Sequence, residues 1–389
     1  GRHADPGRLG VRALDDLTLL VELEGPTGYF LQLLDHSICF PVPRHVVEVH
    51  GDRWTEVDNL VTNGPLRLAE WQRGKFMRFS RNPTYAGRIR GNLQEVSVDL
   101  HTKGVGNLAA YEAGDLDILW LGGDWPIDER ERVRQRHIGD YFARTALATA
   151  YTCFNTARPP FHDRRVRRAL VLAADREKVV NVLGGGYNVP ATGGFVPPGI
   201  PGHAAGIALP YDPAGARTLL AEAGYPDGRD FPPVIARAVS ALVDVYLVEQ
   251  FLDCWRENLG VEIELQTVSY AEMDTSLRRD PPHLAFWGWG AAYPDPDYFL
   301  RVGLDSFRNN FPWSHAVYDK LVARARRLMD QKERIELYRQ AETILMQEAY
   351  LMPTMYRQYH QLIKPWVKHP PSAPGWWYWS EQDFVIEPH

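Results

Sequence analysis

Phe286-Trp287-Gly288-Trp289-Gly290-Ala291-Ala292-Tyr293-Pro294-Asp295-Pro296-Asp297 is the stretch on which the reading of this chain turns. Aromatic residues alternate with glycines where a strand should end, and two prolines stiffen the exit. Trp287 and Trp289 stand two apart, so strand alternation sends them to one face. Two readings follow: core packing for one or both, or a paired stacking surface for a ligand. Gly288, Gly290, Ala291 and Ala292 would let a ligand come close to the backbone.

Outward from this stretch the chain alternates helices and strands. Leu242, Val245, Val248 and Leu252 recur at helical spacing across 241–259. Val261, Ile263 and Leu265 then alternate with Glu262, Glu264 and Gln266, as in a strand with one wet face. A short helix over 270–278 leads into a strand at 283–288. Strand, helix, strand in that order is the grammar of a parallel sheet with crossover helices. Upstream, Asp163 opens a helix reaching Ala174, and Asp175 opens another that stops at Gly184-Gly185-Gly186. Asp212 with Pro213 opens a third, bounded by Gly224. Downstream, 317–329 and 332–349 are amphipathic helices, with Asp330 and Glu333 at capping-box spacing. The first third predicts a strand over 17–24, a helix over 44–50, a hairpin of 63–71 with 75–80, a strand at 95–100, a helix at 107–113 and a strand at 117–121. The fold class is α/β, and 389 residues exceed one typical core, so at least two lobes are expected.

Composition excludes several functions. A formal charge of −6 leaves no basic excess for nucleic acid or an anionic membrane. The run Arg164-Arg165-Val166-Arg167-Arg168 is local and reads as a solvated helix face. No apolar run reaches the roughly 18 residues of a membrane span, and Gly1 to Pro6 carry no apolar leader. Cys39, Cys153 and Cys254 lie far apart, and no histidine pair has ligand spacing, so no metal or cofactor is expected. Gly184-Gly185-Gly186 lacks a following Lys-Ser/Thr, and no nucleophile elbow is present. Asp295 and Asp297 invite comparison with a glycosidase carboxylate pair, but turn hydrogen bonding is the better reading for Asp295.

Ordered segments along nearly the whole chain resemble the peptide/nickel-type extracellular solute-binding proteins that feed ABC importers. Gly288-Trp289-Gly290-Ala291-Ala292-Tyr293-Pro294-Asp295-Pro296 is similar to their Gly-Trp-Gly-Ala-Asp-Tyr-Pro-Asp-Pro motif. Leu9 to Thr18, Asn63-Gly64-Pro65 through Glu70-Trp71, Arg81-Asn82-Pro83 with Tyr85, and Ala113-Gly114-Asp115-Leu116-Asp117 match further phrases. So do Phe154-Asn155-Thr156, Pro160-Phe161-His162-Asp163, Ala174-Asp175-Arg176 and Tyr211-Asp212-Pro213 through Leu219 to Pro226.

The resemblance implies a bilobal, class II periplasmic-binding-protein-like fold of mixed sheets with flanking helices. Residues 1–154 plus 353–389 would form the first lobe and 155–352 the second, joined by a two-crossing hinge; Pro353 and Pro365 mark the return. It implies a first lobe incomplete at its N-terminal side, with a remnant of an extra small domain and no export or lipoprotein signal in the chain. It also implies an extracytoplasmic, non-enzymatic protein that binds a peptide or similar small solute between the lobes and works with membrane permease subunits. Ligand contacts are then expected from Trp287, Trp289, Gly290, Ala292, Tyr293, Trp120, Tyr151 and Tyr356. Peptide-binding members of the family carry Asp at the position of Ala292, where it holds the ligand's ammonium, and alanine supplies no such charge. An oligosaccharide or blocked peptide therefore stands beside free peptides, and a ligand-sensing domain of a larger regulator stands as the alternative function.

Overall fold

The computed structural model describes residues 9–100, 106–122, 125–308, 310–368 and 383–389. Two small antiparallel units come first: the pair β1 (Val11–Ala13) and β2 (Leu19–Val21), then a sheet of β3 (Leu66–Gln72), β4 (Phe76–Arg81) and β5 (Glu95–Asp99). The main sheet follows with β6 (Ile118–Leu121), β7 (Tyr141–Phe154), β8 (Val189–Pro190), β9 (Ile235–Val239), β10 (Glu264–Val268), β11 (Leu284–Gly290) and β12 (Leu351–Ile363). A short pair, β13 (Val367–Lys368) with β14 (Val385–Ile386), lies near the C-terminus. The order across the main sheet is β10-β9-β11-β7-β12-β6, with β8 beside β12.

The expected crossover grammar appears in β9, β10 and β11, which are parallel and linked by the helices Val245–Leu259 and Tyr270–Arg279. The first of these buries Leu247, Val248, Phe251, Trp255 and Leu259, and Gly260 ends it at φ +68°. Its start differs from the helical spacing. Residues 241–244 form a turn, with the N–H groups of Leu242 and Val243 bonded to the carbonyl of Val239, and the helix begins only after Asp244. The second helix carries a complete capping box from Ser269 and Glu272, whereas at Asp330 only the carboxylate half forms, accepting from the N–H of Glu333 at 2.8 Å.

Strands β7 and β12 are the longest, 14 and 13 residues, and they pair antiparallel along their length. One end of the pair carries β11, registered on Ala148 to Phe154; the other carries β6, registered on His360 to Ile363. Apolar side chains fill both faces of the sheet. Phe154, Phe286 and Trp255 lie in a core beneath the helices Arg164–Ala173, Pro213–Glu222 and Val245–Leu259. Tyr151, Trp287, Phe299 and Tyr338 lie in a second core on the opposite face, under the helices Ala316–Arg326 and Gln331–Glu348. Alternation along β11 produces this division: Phe286 goes to the first core, Trp287 and the partly buried Trp289 to the second.

Candidate functional site

A cavity of 320 Å³ opens where the β6 end of the main sheet meets the β9–β11 end. Ala150 of β7 and Met355 of β12, paired in register, form its floor, and Gly288 of β11, paired with Ala150 on the other side, lies under the adjoining Leu242 wall. The turn Ser240 to Asp244 forms one wall, and Leu121 with Gly122 at the end of β6 form the facing wall. A Cβ built on Gly288 would meet the carbonyl oxygen of Leu242 at 3.1 Å and Nη1 of Arg357 at 3.9 Å. The glycine of the Trp-Gly-Trp motif therefore lets this wall sit directly on the sheet.

Polar groups converge on the cavity from both ends. Arg130, on the helix Ile127–Arg136, reaches across to Asp244 at 3.5 Å; its Nε donates to the carbonyl of Trp125 at 2.6 Å and its guanidinium lies 5.3 Å from the Tyr187 ring centre. Arg357, from β12, donates through Nη1 to the Leu242 carbonyl at 3.2 Å. His360 is held at both ring nitrogens, 2.6 Å from the Tyr187 carbonyl through Nε2 and 2.5 Å from the Tyr141 hydroxyl through Nδ1. A carbonyl only accepts, so Nε2 carries the proton. Burial pulls the imidazole pKa down to about 4, so the ring is neutral near pH 7. Asn188 Oδ1 accepts from the Gln358 N–H at 3.2 Å and ties β8's approach to β12.

None of the eight residues expected from sequence lines this cavity. Trp287, 7% exposed, packs against Tyr270, and Tyr151, 1% exposed, packs edge-on to Phe195. Tyr356, 2% exposed, donates its hydroxyl to the Gly194 carbonyl at 2.8 Å. Trp289 stacks on Tyr298 and donates Nε1–H to that residue's carbonyl at 3.0 Å. Tyr293 stacks on Tyr29 and donates to Asp297 at 2.9 Å. Gly290 is exposed at the end of β11, and Ala292 is half-buried in the turn after it. Trp120 is 46% exposed beside Leu121, edge-on to Tyr359 and 5.7 Å from the Arg144 guanidinium. Arg130, Asp244, Arg357 and His360 gave no sequence signal, since each is a single charged or polar residue in an otherwise ordinary helix, turn or strand.

The two aspartates of the motif are structural. Asp295 takes a two-pronged ion pair from Arg334, at 2.6 and 2.5 Å, and accepts from the Asp297 N–H at 2.9 Å. Asp297 accepts from the hydroxyls of Tyr293 and Tyr338, both at 2.9 Å, and from Arg301 at 2.5 to 3.0 Å. Burial opposes the charge of Asp297, yet Arg301 and the two hydroxyls hold its carboxyl below the usual range. Both carboxylates are occupied, which removes them as an acid/base pair.

A sheet with two long shared strands and a polar cavity at the junction of its ends defines a ligand-binding protein of the periplasmic-binding-protein class. The chain belongs to the bacterial extracellular solute-binding proteins, family 5, whose middle-region profile matches residues 3–311. It is 32% identical over 372 residues to the "Probable deoxycholate-binding periplasmic protein YgiS" of Escherichia coli, covering 94% of this chain and 68% of that protein. Over 373 residues it is 31% identical to the periplasmic oligopeptide-binding protein OppA of Salmonella typhimurium, covering 92% and 67%. The Escherichia coli murein tripeptide binding protein MppA superposes with a TM-score of 0.78 at 28% identity, over 99% of this chain and 76% of that one. Haemophilus influenzae OppA in complex with RPPGFSPFR gives 0.75 at 26% identity, over 98% and 76%. No helix among the described residues is long and apolar enough to cross a membrane.

Proposed function

We propose that this solute-binding component of an ABC importer captures a peptide or similarly sized polar solute in the cavity over Ala150 and Met355, and that it does so outside the cytoplasm and without turnover. The carrying observation is the position of the cavity, at the junction of two sheet ends joined by β7 and β12 and bridged by Arg130 to Asp244. Residues 1–154 with 353–389 form one lobe and 155–352 the other. Closure moves one sheet end against the other about the two long strands, and permease subunits read the closed form. Trp120 is the aromatic that meets solute at the rim. Trp287, Trp289, Tyr293, Tyr151 and Tyr356 stiffen the wall from the far face, while Gly290 and Ala292 form the exit of β11 past which the solute lies.

A second reading concerns ligand class. Ala292 offers no carboxylate to a peptide ammonium, and Asp295 and Asp297 are both engaged, so a solute without a free amine is favoured at that point. The relative named for deoxycholate binding makes an amphipathic acid the natural second candidate. Calorimetric titration of the protein with di- to pentapeptides, N-acetylated peptides, deoxycholate and short glycans tests both readings. Saturable binding of peptides is expected, with acetylation costing less than threefold in Kd. Binding of glycans alone would refute the peptide reading, and tight binding of deoxycholate alone would select the second.

A further inference from the structure

We propose that Arg357 is the anion-recognition point of this cavity, taking a carboxylate of the bound solute in a two-pronged contact while Leu242, Val243 and Met355 hold an adjoining apolar group. The inference deepens, and rests on, the reading of the cavity as the solute site. Three observations carry it. The charges on the lining are unbalanced: Arg130 and Arg357 face one carboxylate, Asp244, and His360 is neutral. That carboxylate makes its ion pair with Arg130 at 3.5 Å and reaches Arg357 only through its field, so one negative charge serves two guanidiniums and no ion pair among the described residues closes on Arg357. The Arg357 guanidinium is fixed by a single bond from Nη1 to the Leu242 carbonyl, on the wall that Gly288 allows to approach.

Chemistry then selects the ligand group. A guanidinium carries five N–H donors in a planar fork, and one bond to a carbonyl leaves the fork largely unused. A carboxylate matches that geometry and restores the charge removed from water when the lobes close. A second cation would instead be repelled by two guanidiniums. The apolar neighbours Leu242, Val243 and Met355 suit a small aliphatic group one or two bonds away from the acid.

The test compares matched pairs on the full chain by calorimetry: trialanine against trialanine amide, and decanoate against 1-decanol. The parent should prefer each acid over its uncharged partner by at least tenfold. Arg357→Gln should reduce the acid to the level of the uncharged partner while leaving the latter within twofold, and Arg357→Lys should restore part of the preference. The comparison on the parent stands even if a variant folds poorly. Preference of decanoate with no binding of trialanine would keep the anion site and overturn the peptide reading. Binding without acid preference in either pair, no binding of any of the four probes, or an acid preference untouched in a folded Arg357→Gln, would overturn the proposal.

Discussion

Replacing Asp295 by alanine should destabilise the protein on the order of 4 kcal/mol. Arg334 is fully buried at its side chain and Asp295 nearly so, with the pair closed by contacts of 2.6 and 2.5 Å. Breaking a buried pair from one side costs about 3–5 kcal/mol, because the remaining charge has no counter-ion. Loss of the Asp295 bond to the Asp297 N–H adds roughly 1 kcal/mol. Against this, Arg334 keeps Gln331 Oε1 at 3.3 Å and two tyrosine rings, Tyr29 at 5.0 Å and Tyr338 at 5.1 Å, which together recover on the order of 1 kcal/mol. Urea unfolding followed by tryptophan fluorescence reads the loss. In a double-mutant cycle with Arg334→Met, the paired variant should be less destabilised than the sum of the singles by about 2 kcal/mol. A loss below about 1 kcal/mol, or no coupling in the cycle, would refute the assignment of Asp295 as the clamp of this turn and reopen a direct ligand role.

Gly288→Val should cut solute affinity at least tenfold in the same calorimetric titrations while costing only about 1–3 kcal/mol in stability, because a Cβ there meets the Leu242 carbonyl at 3.1 Å and the γ-carbons would push the Leu242 wall and Arg357 into the cavity. Buried Glu342, which accepts from the Val196 N–H at 2.7 Å, has its pKa pushed up to about 8 by burial. A carboxyl raised in the folded state binds its proton more tightly there than when unfolded, so it lowers stability as pH rises from about 4.5 towards 8. Glu342→Gln should therefore gain stability over the parent at pH 8 and little at pH 4.5, by urea midpoints at the two pH values. His360 has the opposite sign: its depressed pKa makes the folded state lose stability as pH falls from about 6.5 to 4. His360→Gln should flatten that limb.

The sequence made the α/β architecture legible because its punctuation is local. Asp212 with Pro213, Gly224 after its helix and the alternation around Val261 to Leu265 act within a few residues, and the structure places elements there with shifted ends. The shared face of Trp287 and Trp289 was equally legible, since period two needs no partner. Which face it is was not. That depends on β11 lying between β9 and β7, and on which helices cover each side of the sheet. The turn at 241–244 escaped for a related reason: Leu242 fits the helical spacing, and only the contact with Gly288 shows why the chain stays unwound there.

The Trp-Gly-Trp pattern and the cavity are two consequences of one strand. On β11 the large rings at 287 and 289 bury into the core beneath Gln331–Glu348, which fixes the strand firmly. The alternate position, 288, faces the other way with no side chain, so the Leu242 wall and the Arg357 guanidinium come down onto the sheet beside Ala150. A strand with rings on both faces would have lifted the Leu242 wall off the sheet; one with glycines at every position would have had nothing to anchor it. Alternation of the largest and smallest residues thus supplies rigidity on one side and room on the other. The motif shapes the cavity wall through the absence at Gly288 more than through the rings that make it conspicuous.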